Sequence, residues 1–187
     1  MKAIVKLVVA LVVLNAVGRV GLAAWHYYEL RDAAQQAVMF GAQEQPAQIQ
    51  SRILKKAEEL GAVLYIHPQS TPQLGERFKG NGWLSNTIGN PLDTTIALQH
   101  LIFEGTLDKF PGLKIIAAHA GGFLPSYAGR SDHGCPSRPD LCPGGTHGTI
   151  KKQPSEYLKQ LYYDTMVFRP EGVRHLVAEV GASQLLV

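Results

Sequence analysis

Acidic residues are absent before Glu29 in this 187-residue chain, and cysteine is scarce throughout. The only two cysteines are Cys135 and Cys142. So few exclude a small scaffold stapled by disulfides. The pair leaves open a small loop disulfide or two free thiols. A zinc site joining them to His133 and His147 would match no common structural zinc spacing. Charge is also sparse: 18% of residues are Asp, Glu, Lys or Arg, with a net charge of +3. That balance, scattered along the chain, excludes a nucleic-acid surface. Internal repeats and low-complexity tracts are missing as well, which excludes a solenoid. With 45% hydrophobic residues the chain is not disordered.

The acid-free start has its own character. Lys2 and Lys6 precede an apolar run, Leu7 to Gly18, and Arg19 interrupts before Val20 to Trp25. A basic start with an apolar run fits a signal sequence, with Ala16-Val17-Gly18 as a small-residue cleavage site. It also fits one membrane anchor over Ala3 to Tyr28, with Trp25, Tyr27 and Tyr28 at the interface. A buried amphipathic helix is the third reading. The membrane-directed helix is the expectation taken forward.

Further along, helical and extended patterns alternate. Glu29 to Phe40 reads as helix, broken by Gly41 and Pro46. Ile49, Ile53, Ala57 and Leu60 recur at helical spacing opposite Lys55, Lys56, Glu58 and Glu59, and Gly61 ends that helix. Ala62 to Ile66 is an apolar strand running into His67-Pro68. Residues 69–92 read as a long loop carrying Trp83. Asp93 is an expected N-cap for a helix with Ile96, Ala97, Leu101, Ile102 and Leu107 inward. Lys114 to Ala118 reads as a strand buried on both faces, ending at His119-Ala-Gly-Gly122. Residues 129–156 read as a second long loop. Leu161 to Val167 is an expected third strand carrying Asp164, Pro170 to Val180 a helix, and Gln184 to Val187 the start of a fourth strand.

Strand, loop, helix, strand is the rhythm of a parallel sheet. Two strands end in histidine and a third carries aspartate near its end. One such placement means little, because histidine is commonly part-buried. Three together predict a common site at the carboxyl ends of the strands, suited to a divalent metal.

The wording of these segments carries a resemblance. Ala57-Glu-Glu-Leu-Gly-Ala-Val-Leu-Tyr-Ile-His67-Pro68, Gly89-Asn-Pro-Leu-Asp-Thr-Thr-Ile-Ala97, Phe110-Pro-Gly-Leu-Lys-Ile-Ile-Ala-Ala-His119-Ala-Gly-Gly122, Gly129-Arg130, His133-Gly134 and Arg138-Pro-Asp-Leu-Cys142 together resemble the carboxy-terminal half of an amidohydrolase-superfamily barrel. The branch they resemble is that of aminocarboxymuconate-semialdehyde decarboxylase, over about residues 54–187. The resemblance implies an α/β fold: part of a TIM-type (β/α) barrel, roughly its second half, preceded by a hydrophobic helix. The implied organisation is a signal-like or transmembrane helix over 1–28, a helical connector over 29–60 and a partial barrel over 61–187.

It also implies roles. His67 would be a metal ligand, to zinc or another divalent ion. His119 would be the acid/base beside it, a task suited to an imidazole titrating near neutrality. Arg130 and Arg138 would bind the carboxylate of a small substrate, one of them across a homodimer. Trp83 would line the substrate pocket. The family is expected in the cytoplasm, whereas the first residues suggest a membrane-associated or exported protein. The resemblance implies a carboxy-lyase acting on a small unsaturated or aromatic acid. A hydrolase or hydratase using the same activated water, a non-catalytic membrane-anchored module, and a joining of unrelated coding segments are the alternatives.

Two departures qualify that implication. The family's first-strand His-x-His occurs nowhere in this sequence, and neither does a Gly-Thr/Ser-Asp motif after the last strand. A whole barrel takes about 250 residues, so the chain is expected to carry an incomplete site with weak or no activity.

Overall fold

The computed structural model describes residues 1–41, 44–68, 71–80, 83–139 and 150–186, and of Cys135 only the backbone. Asp140, Cys142 and His147 lie outside the described residues. The cysteine readings, disulfide or zinc, therefore fall outside them too. The chain divides into two compact units, residues 1–62 and 63–187.

The first unit is a pair of helices, α1 (Lys2–Phe40) and α2 (Pro46–Glu59). The α1 helix runs unbroken through position 28, where the sequence suggested a boundary. Neither Gly nor Pro falls between Leu22 and Phe40, so nothing in the chain stops it. Its apolar first half is exposed all round, unlike a buried amphipathic helix. Only the second half meets α2. Lys56 Nζ reaches Glu29 Oε1 at 2.6 Å, and Arg52 donates to the Ala37 carbonyl at 3.3 Å and to Glu44 at 3.0 Å. A capping box of Gln45 and Gln48, with Pro46 in the first turn, starts α2.

The second unit is built on three short parallel strands, β1 (Val63–Ile66), β2 (Lys114–Ala117) and β3 (Tyr162–Tyr163), in the order β1-β2-β3. A fourth segment joins β3 through a parallel bridge between Tyr163 and Leu185, and Leu186 N–H donates to the Tyr163 carbonyl at 2.8 Å. Crossovers carry α3 (Pro72–Phe78), α4 (Asn90–Phe103) and α5 (Thr106–Lys109) before β2. After it come α6 (Leu124–Ser137) and, beyond β3, α7 (Pro170–Val180).

The register pairs Tyr65 with Ile116 and Ile116 with Tyr162, so these side chains share one face of the sheet. Ile115, Ala117 and Tyr163 share the other. Those three are fully buried, as are Leu98 and Ile102 of α4, Leu124 of α6 and Leu176 of α7, while Leu64 and Ile66 of β1 on the same face are half-buried. The first face is open: Val63 and Tyr65 are 54% and 53% exposed, and Ile116 is half-buried. The expectation that β2 is buried on both faces is therefore corrected, because no layer covers this face among the described residues.

Three local expectations also change. Residues 69–92 are not a plain loop, since Thr71 caps α3 by accepting from Leu74 N–H at 3.3 Å and a π-turn (Ser85–Gly89) feeds straight into α4. Helix α4 thus starts at Asn90 rather than after Asp93. Its buried stripe becomes Thr94, Leu98 and Ile102, and Ile96 points outward at 47% exposure. Residues 129–137 are helical, not loop. Glycines are poor helix formers, but α6 is tied down at Asp132, which accepts from Ser155 N–H at 2.8 Å, and at Ser131, which accepts from Gln99 at 2.7 Å.

Candidate functional site

Parallel pairing in register brings the three strand ends level. Ile66 pairs with Ala117 and Ala117 with Tyr163, so His67, Ala118 and Asp164 are the next residues out. The Ala118 N–H donates to the Ile66 carbonyl and the Asp164 N–H to the Ala117 carbonyl, at 3.2 and 3.3 Å. His119 follows in the turn. The rings of His67 and His119 meet with centroids 5.1 Å apart and planes tilted by 51°. Tyr65 lies two residues before His67 on the same face, its ring centroid 5.9 Å from the His67 ring.

The turn holding His119 is strained. Four successive residues, His119, Ala120, Gly121 and Gly122, have φ of 55°, 53°, 77° and 65°. Left-handed backbone costs a residue with a Cβ roughly 1–2 kcal/mol. Glycine removes that cost at the last two positions and also makes room there. A Cβ at Gly121 would sit 2.7 Å from the Tyr163 ring, and one at Gly122 would run into the Pro91 carbonyl oxygen. At His119 and Ala120 the strain is offset by hydrogen bonds. The amides donate to Asp164, His119 N–H to Oδ2 at 3.0 Å and Ala120 N–H to Oδ1 at 2.8 Å.

The first turn of α4 supports the same feature. The hydroxyl of buried Thr94 lies 3.2 Å from His119 Nδ1. Thr95 Oγ1 accepts from Phe123 N–H at 2.8 Å and donates to the Pro91 carbonyl at 2.7 Å.

Electrostatics separate the two histidines. Partial burial holds the His119 pKa below its ordinary 6.5, and neighbouring His67 adds to that lowering while Asp164 opposes it. His67 is exposed. Its Nδ1 lies 3.0 Å from the Pro68 carbonyl, which can only accept, so Nδ1 is the donor of that contact. Burial raises the Tyr65 pKa, and its hydrogen bond to Asp164 at 3.0 Å adds to this. The phenol stays protonated at neutral pH.

Arg130 is exposed on α6, and Arg138 follows that helix with its N–H donating to the Gly134 carbonyl at 2.9 Å. Trp83 is 72% exposed, its carbonyl accepting from Asn86 and Thr87. No hydrogen bond brings Arg130 or Trp83 to the histidines among the described residues. Sequence reasoning missed Thr94, Thr95 and the full part played by Asp164. Asp164 was visible as a polar strand end, whereas the threonines gave no signal beyond their place in a helix.

A bound metal would need more than is gathered here. His67 Nε2 fits one ligand position. Both Asp164 oxygens are taken up by hydrogen bonds, and no three His, Cys, Asp or Glu side chains assemble a metal site among the described residues. A lasting catalytic site needs about three protein ligands.

Comparison with known proteins bears directly on these elements. An amidohydrolase family model matches residues 15–186, starting well before position 54. The 2-amino-3-carboxymuconate-6-semialdehyde decarboxylase of Dictyostelium discoideum is 34% identical over 133 residues, which cover 71% of this chain and 35% of that protein. The corresponding decarboxylase of Caenorhabditis elegans is 32% identical over 130 residues, covering 70% of this chain and 31% of its own length. Among solved structures, a dihydroxybenzoic acid decarboxylase from Polaromonas sp. with bound manganese and 2-nitroresorcinol superposes with a TM-score of 0.62. It is 26% identical, over 73% of this chain and 41% of that one. The chain therefore spans about a third of the length of these curated relatives.

Proposed function

The chain belongs to the amidohydrolase family, and on that premise we propose that its paired histidines are the proton-handling part of a carboxy-lyase site for a small unsaturated or aromatic carboxylic acid. One observation carries the reading: two imidazoles 5.1 Å apart at the carboxyl ends of neighbouring parallel strands. Barrels of the TIM type place their chemistry there, and the open, level strand ends support reading this sheet as part of such a barrel. Decarboxylases among the relatives narrow the class.

In the proposed step His119, as imidazolium, gives its proton to the carbon bearing the carboxylate. The bond to the carboxyl carbon then breaks, carbon dioxide leaves, and the bonding pair restores the unsaturated system. A lowered pKa makes the imidazolium a stronger donor and the neutral form dominant between turnovers. Thr94 fixes the ring from one side. Arg130 and Arg138 are assigned to the substrate carboxylate, in this chain or across a homodimer, and Trp83 to the pocket wall. A divalent metal, as bound in the related decarboxylase, would supply Lewis acidity, and zinc is our choice of ion. His67 would be one of its ligands. The described residues do not complete that site.

Titrating the labelled chain with 2,6-dihydroxybenzoate and following both histidine ring signals by NMR tests the reading. Both rings should shift together, with weaker binding in Arg130→Ala. Saturating ligand that moves neither ring would overturn it.

A second reading concerns where the protein acts. Helix α1 has a window of mean hydropathy 2.2 with none of its side chains buried. Its residues 3–25 extend about 35 Å at 1.5 Å per residue, enough for a hydrocarbon core. Lys2 precedes that stretch, Lys6 and Arg19 lie within it, and Trp25, Tyr27, Tyr28 and Arg31 stand at its far end. We assign α1 to a membrane. Full-length protein should stay with membranes through carbonate extraction and be released on deleting residues 1–28. Uncleaved protein in the soluble fraction would refute it.

A further inference from the structure

We propose that Asp164 is the positioning residue of this site, holding the left-handed turn that presents the His119 ring to His67. The inference rests on reading His119 as the proton-moving group, and it adds what keeps that group in place.

A carboxylate has about four lone-pair positions. Asp164 Oδ2 accepts from the Tyr65 hydroxyl and the His119 N–H, both at 3.0 Å. Its Oδ1 accepts from Ala120 N–H at 2.8 Å and Met166 N–H at 3.2 Å. All four positions are filled, by donors from the ends of all three strands. The two non-glycine residues with left-handed backbone in that turn are the two whose amides it binds. An aspartate occupied in this way has no lone pair left for a metal or for taking a substrate proton. Its task is geometric. Tyr65 completes the arrangement: its ring neighbours His67 while its hydroxyl fixes Asp164, so one side chain ties both histidine-bearing strand ends to the same carboxylate.

Asparagine at 164 would keep one acceptor oxygen and turn an N–H₂ group toward two existing donors. Glutamate would keep the charge and displace the oxygens by a methylene. The test compares Asp164→Asn, Asp164→Glu and Tyr65→Phe in the full chain, by amide hydrogen exchange and histidine ring NMR. The His119 and Ala120 amides in Asp164→Glu, and at least one of the two in Asp164→Asn, should exchange at least about tenfold faster, the scale of one lost hydrogen bond. The His119 ring signals should move, while Ile115 and Tyr163 keep their protection. Glutamate should fail to rescue, which separates positioning from charge alone. Tyr65→Phe removes only one bond and leaves the fold intact, so it keeps the test valid if the Asp164 variants fail to fold. It should shift the His119 ring signals as well.

A purely structural role would instead speed exchange evenly across the sheet and leave the ring unmoved. That outcome, or unchanged exchange at residues 119 and 120 in a folded variant, would overturn the proposal. None of these readouts depends on turnover or ligand. A wrong assignment of His119 as proton donor would appear separately, as failure of the dihydroxybenzoate titration.

Discussion

At the scale of single residues, His119 differs from a surface histidine because its neutral form is favoured by burial. Its folded pKa lies below 6.5. The unfolded chain therefore takes up this proton first as pH falls. The stability contributed by neutral His119 is present above pH 6.5 and is lost as pH drops through the folded value. An NMR titration should put its midpoint below 6.5. Removing His67 by His67→Ala should raise that midpoint only in part, since burial is the larger cause. A full return to 6.5 would mean that the neighbouring ring, not burial, sets the value.

At the scale of elements, the glycine turn and helix α6 make opposite demands on the same residue type. Gly122 needs positive φ and lies against the Pro91 carbonyl, whereas a Cβ at Gly129 within α6 would meet nothing within 4 Å. Gly122→Ala should destabilise the chain by at least about 2 kcal/mol. Gly129→Ala should stabilise it by about 0.5–1 kcal/mol. Thermal unfolding of the two variants checks this contrast. Equal losses would mean that α6 is not helical in solution. Core packing on the buried face of the sheet is the third demand. Leu98→Ala should cost about 2–5 kcal/mol, because Leu98 of α4 is fully buried.

At the scale of the whole molecule, the site is set by what the carboxyl ends of three strands can gather. His67, His119 and Asp164 meet, but the described residues do not assemble three metal ligands. We therefore expect negligible decarboxylation by the 187-residue chain, with added zinc or manganese alike. Labelled carbon dioxide released from 2,6-dihydroxybenzoate is the measurement. Robust metal-dependent release that His119→Ala abolishes would show that other residues complete the site. The open face carrying Val63 and Tyr65 also presents apolar surface to water, and such surface favours association.

The sequence by itself determined the elements whose signal is local. The apolar runs before His67 and His119, the amphipathic α2 and the helix Pro170–Val180 stand where periodicity and punctuation put them. Hydrophobic spacing and Gly or Pro stops act within a few residues, so one dimension suffices to read them. Family membership was legible for a related reason, because the His-x-Gly-Gly turn and its neighbours form a specific wording. Tertiary structure alone decided the rest. Helix α6 forms through glycines because Ser155 and Gln99 bond to it from distant segments. Asp164 reads as an ordinary strand-end acid until parallel register sets it beside a turn 44 or 45 positions away and Tyr65 at a separation of 99. Contacts of that range are made by packing, and no local pattern in the chain encodes them.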